Sequence, residues 1–128
     1  MSVYCLQVAT RTGYQFQLLE AQPPQVYREE KMPVTIVSRF KGNQDHTPTV
    51  KEAAAILKRH GATSVRGGRC LVGGYAGEVV VATTFADWVT YGSGMQGLMA
   101  DADWQKFQAG VASAFELQDR SIIASEDF

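Results

Sequence analysis

With 128 residues the chain has the length of one domain, able to bury a single core but not two. Hydrophobic residues at 45%, charged residues at 20% and a net charge of -1 are the balance of an ordinary globular domain, with no broad electrostatic pull toward nucleic acid or an anionic membrane. No stretch is long and apolar enough to span a bilayer, and the start, Met1-Ser2-Val3-Tyr4-Cys5-Leu6-Gln7, lacks the basic region and apolar core of a secretion signal, so the expected address is cytoplasmic with Cys5 and Cys70 reduced.

Residues 3–10 and 14–19 have the character of two short strands around Arg11-Thr12-Gly13, a hairpin arm within residues 1–32 rather than an independent domain. Pro23-Pro24 interrupts regular structure, and Arg28-Glu29-Glu30-Lys31 has the composition of a solvated connection. The main domain is expected over residues 33–128. Its first strand is Val34-Thr35-Ile36-Val37-Ser38-Arg39-Phe40, β-branched and aromatic between Pro33 and Gly42. A helix follows: Thr49 and Glu52 have capping-box spacing, Val50, Ala53, Ala54 and Leu57 share a face, and Gly61 offers a left-handed stop after Lys58-Arg59-His60.

Residues 63–72 and 78–85 are predicted to form a hairpin through Gly73, Gly74 and Gly77, with Gly67-Gly68 marking a bulge or a close backbone approach. Val79-Val80-Val81-Ala82 is apolar on both sides, so both faces of that strand are expected to be covered. From Ala86 the pattern turns helical in two pieces, divided at Asp101-Ala102-Asp103, and residues 115–124 close the sheet as an exposed edge weakened by Asp119 and Arg120. The order β-α-β-β-α-β predicts an α+β fold with helices on one face of a four-stranded antiparallel sheet.

No catalytic constellation emerges from spacing. Gly92-Ser93-Gly94-Met95-Gln96-Gly97 matches G-x-G-x-x-G as a string, but it lies within a helical segment rather than directly after a strand, which disfavours a dinucleotide site. Each glycine in a helix interior costs ~1 kcal/mol relative to alanine, so these three call for a backbone approach, a helix break or room for a ligand. His46 and His60 have no partners at metal-ligand spacing, and no metal or cofactor is expected. Trp88, Tyr91, Met95, Met99, Trp104 and Phe107 form a soft, bulky stripe, which is either plain core or the wall of an apolar cavity binding a small hydrophobic molecule. Arg39, Arg66 and Arg69, on or near strands, are either surface residues or polar anchors to such a cavity.

The element order, the hairpin Gly73-Gly74-Tyr75-Ala76-Gly77 and the segment Met99-Ala100-Asp101-Ala102-Asp103-Trp104-Gln105-Lys106-Phe107 resemble the dimeric α/β-barrel superfamily, especially its NIPSNAP-like and antibiotic-biosynthesis-monooxygenase-like members. The resemblance covers residues 33–124 and implies a ferredoxin-like protomer that pairs its sheet with that of a second copy, hence a homodimer. For activity it implies cofactor-independent oxygenation or isomerisation, with Trp88, Tyr91 and Trp104 shaping the pocket and His60 or Arg66 stabilising negative charge. The rival expectation is a non-catalytic interaction module whose aromatic stripe is core.

Overall fold

A computed structural model describes residues 4–7 and 32–125. Five strands and three helices follow in chain order: β1 (Tyr4–Gln7), β2 (Val34–Lys41), α1 (Thr47–Arg59), β3 (Ser64–Arg69), β4 (Val79–Phe85), α2 (Trp88–Met99), α3 (Ala102–Val111) and β5 (Glu116–Ala124). The sheet has the order β1-β5-β2-β4-β3, and each of its pairings is antiparallel. Without β1, the remaining strands and helices are the predicted ferredoxin-like arrangement.

Alternation along the strands divides the sheet into two faces. Val34, Ile36, Val65, Phe85 and Ile122 point toward the helices and meet Ala53, Ile56 and Leu57 of α1 and Tyr91 and Leu98 of α2. Phe85, at 0% exposure, is the centre of this layer. The opposite face carries Thr35, Val37, Val80, Ala82, Thr84 and Ile123, adjacent in the strand register, and no described helix packs on it.

Local chemistry explains where the elements depart from expectation. Helix α1 begins at Thr47 rather than at a Thr49 cap; His46 is the capping residue without a side-chain bond, Pro48 presets the first turn, and Asp45 Oδ1 accepts from the Thr47 amide at 3.0 Å. The helix stops as predicted, at Gly61 with φ of 99°. Strand β3 ends at Arg69, short of residue 72, because the chain closes into a loop in which Cys70 N donates to Glu78 O and Gly77 N to Cys70 O, with Gly73 and Gly77 at positive φ. Gly67 marks a close approach and not a bulge: a Cβ there would lie 2.9 Å from Val50 Cγ2 of α1.

Two expectations about the sheet edge change. β5 is not an exposed edge, since β1 pairs along it from Tyr4 opposite Ala124 to Gln7 opposite Ser121. The irregularity lies between β2 and β5, where the register shifts between Arg39 and Phe40. The expected strand at residues 14–19 and the connection at 28–31 lie outside the described residues.

Candidate functional site

The helix-facing side of β2 reads Val34, Ile36, Ser38, so the strand's own period carries a hydroxyl into an apolar layer. Ser38 is 6% exposed, and Arg120 lies directly opposite it on β5. Ser38 Oγ accepts from Arg120 Nε at 2.9 Å. A guanidinium drawn into this layer, on the same strand face as Ile122, loses hydration that it must recover from partners. Nε recovers its share from Ser38. The two Nη groups make no hydrogen bond to a described residue.

Tyr91 of α2 covers this region. Burial raises its phenol pKa, with the Arg120 charge pulling the other way, while burial lowers Arg120 and the Tyr91 oxygen opposes that shift. The guanidinium stays charged at any physiological pH. The Trp88 ring centre lies 5.2 Å from that of Tyr91, and Phe85 meets Tyr91 edge-on at 5.7 Å. Asp87 holds the start of α2, its Oδ1 accepting from Thr90 N at 2.8 Å, which fixes the turn that presents Trp88 and Tyr91. The result is a fixed positive charge, its Nη groups without a hydrogen bond to a described residue, near Tyr91, which in turn packs on Trp88, an arrangement suited to an acceptor-bearing planar molecule.

The residues singled out in the sequence fall in several places. Trp88, Tyr91 and Met95 share α2 and pack on the core near this charge. Met99, 70% exposed, faces away. Trp104 and Phe107 stack at 5.3 Å on α3, partly buried at the margin of the core. Phe107 also lines an open groove of about 680 Å³ between α1 and α3, with Ile56, Val111 and Phe115 among its apolar walls. Arg66 is exposed on the edge strand β3. Arg39 pairs with Glu78 at 2.5 Å and sits 3.7 Å from the Tyr75 ring centre, while Arg69 donates to the carbonyls of Gly42, Gln44 and Gly77.

His60 holds helices together. Its Nε2 donates to Asp101 Oδ2 at 2.6 Å, and Arg59 reaches the same oxygen at 2.9 Å. Its Nδ1 faces Gly97, where a Cβ would stand 2.7 Å away, and its carbonyl oxygen lies against Gly94. The space at these two glycines is therefore taken up by His60 and Phe85, the backbone approach that glycine permits. Among the described residues no group of three or more His, Cys, Asp or Glu side chains is placed to hold a metal.

The backbone is similar to SnoaB, a cofactor-independent oxygenase from Streptomyces nogalater, with a TM-score of 0.55 and 13% identity over 76% of this chain and 96% of that one. It is also similar to a NIPSNAP-family protein with unknown function from Agrobacterium tumefaciens, with a TM-score of 0.56 and 17% identity over 80% and 96% of the two chains. The ferredoxin-like α+β fold is shared with both structures. No family model and no curated protein matches the chain. In this fold the helices cover one sheet face, and the layer between sheet and helices is where Ser38 and Arg120 lie. Sequence reasoning missed both, taking Arg120 as evidence of an exposed edge. The signal was the two-residue period: Ser38 keeps phase with Val34 and Ile36, and Arg120 with Ile122 and Ala124.

Proposed function

We propose that this chain binds a small hydrophobic or aromatic molecule between its sheet and α2, and that it acts there as a cofactor-independent oxygenase. The observation that carries this reading is Arg120, held by Ser38 within the apolar layer beside Tyr91 and Trp88. Oxygenation without a cofactor requires the substrate itself to be electron-rich, as an enolate or related carbanion is, and a positive charge in a poorly solvated layer stabilises that form. Trp88, Tyr91 and Met95 would shape the space, and His60 would fix α1 against α2 rather than touch the substrate. The likeness to SnoaB supports this reading at the level of fold. Dimerisation through the helix-free sheet face would cover Val37, Val80, Ala82 and Ile123.

The test is to extract the purified protein and identify copurified small molecules by mass spectrometry, then to titrate hydroxylated polycyclic aromatics while following tryptophan fluorescence and oxygen uptake. Saturable binding with oxygen consumption is expected. Absence of any extractable molecule and of saturable binding would favour the interaction-module reading, which the open α1–α3 groove and the exposed Leu71 and Val72 support.

A further inference from the structure

Resting on the reading of a ligand site under α2, we infer that the ligand carries one negative charge shared between two oxygens, as in a carboxylate or a 1,3-dicarbonyl enolate, and that this pair is received end-on by the two Nη groups of Arg120. Three features lead there. First, the Arg120 fork is already oriented, because its Nε is committed to Ser38 Oγ at 2.9 Å, which leaves the Nη1–Nη2 end as the open donor edge. Two parallel N–H donors match two oxygens sharing a charge better than they match a single carbonyl.

Second, among the described residues no carboxylate is bonded to this charge. Of the other arginines on the sheet, Arg39 pairs with Glu78, and Arg69 donates to backbone carbonyls. Arg120 instead has a serine hydroxyl as its hydrogen-bond partner among the described residues and a tyrosine as its electrostatic neighbour. A part-buried cation in that situation favours an anionic ligand, since the anion supplies what hydration would otherwise provide. Third, Trp88 and Tyr91 stand beside it with ring centres 5.2 Å apart, so the oxygen pair is expected on a flat hydrocarbon body.

Calorimetric titration of the full chain with two matched pairs tests this. One pair is 2-naphthoate against 2-naphthamide, and the other is the 2-acetyl-1,3-indandione anion, whose acetyl and ring oxygens can lie side by side, against the neutral 2-acetyl-2-methyl-1,3-indandione. Each anion is expected to bind at least roughly tenfold more tightly than its neutral partner, as charge-assisted bonds imply. The pair showing the larger ratio identifies the oxygen chemistry. Arg120→Met should erase the preference, and Arg120→Lys, with a charge but no fork, should retain part of it. The comparison within the unaltered protein stands even if a variant fails to fold. Equal binding of anion and neutral analogue would overturn the inference while leaving the site under α2 intact, and a preference that survives Arg120→Met would remove Arg120 as its origin. Failure of all four probes to bind would sink the underlying reading as well.

Discussion

Gly92 and Gly94 stand two residues apart on α2, yet a methyl group added to each meets different surroundings. At Gly94 it would press on the His60 carbonyl oxygen and reach 2.9 Å from Phe85 Cε1, whereas at Gly92 it meets nothing within 4 Å. Gly94→Ala should therefore destabilise the fold by roughly 1–3 kcal/mol through overpacking. Gly92→Ala should stabilise it by up to ~1 kcal/mol, because alanine loses less backbone freedom in a helix. Urea unfolding of both variants decides the matter: shifts of the midpoint in the same direction would contradict the packing described for His60. Nearby, the Asp101 carboxyl is held well below the usual carboxylate range, first by His60, then by Arg59 and by the Asp103 amide. Since the folded pKa is depressed, the stability it confers is present above the unfolded value of about 4 and is lost as pH falls below it. Asp101→Asn should flatten the fall in unfolding midpoint between pH 5 and pH 3 relative to the parent chain; an identical fall in both would show that this carboxyl is not responsible.

Among the elements, α2 depends most on one side chain. Removing the Asp87 cap by Asp87→Ala should cost about 0.5–2 kcal/mol and loosen the first turn, so ligand binding near Trp88 and Tyr91 should weaken along with the melting temperature. An unchanged affinity in the face of a lowered melting temperature would separate that turn from the site. The same elements show what was legible in the sequence. Apolar period and glycine placement marked β2, α1, the β3–β4 pair and the two helical pieces, because those signals are local. The pairing of β1 with β5 has no local signature, being set by a partner far along the chain, whereas the inward turn of Arg120 was present in the two-residue period it shares with Ile122 and Ala124 but was masked by its charge. Charge at residues 119 and 120 suggested solvent, but on a strand adjacent residues face opposite sides, and the two separate accordingly.

For the molecule as a whole, the sheet face bearing Val37, Val80, Ala82 and Ile123 sets the expected assembly. Light scattering at micromolar concentration should report two chains, and Val80→Asp, which places a charge on that face while leaving the helix-side core untouched, should shift the mass to one. A dilution-stable single chain in the parent protein would count against the barrel assembly, and a Val80→Asp variant that stays paired would locate the contact elsewhere.

The pairing of β1 with β5 also bears on how the chain is made. Residue 4 is synthesised well before its described neighbour, residue 124, so this pairing of β1 cannot form until β5 has emerged. β2 likewise can pair with β4 during synthesis while its other side waits for β5. Until β5 is made, β2 thus has an open flank among the described strands, a state exposed to wrong pairing with a neighbouring nascent chain and one on which a holding chaperone would act.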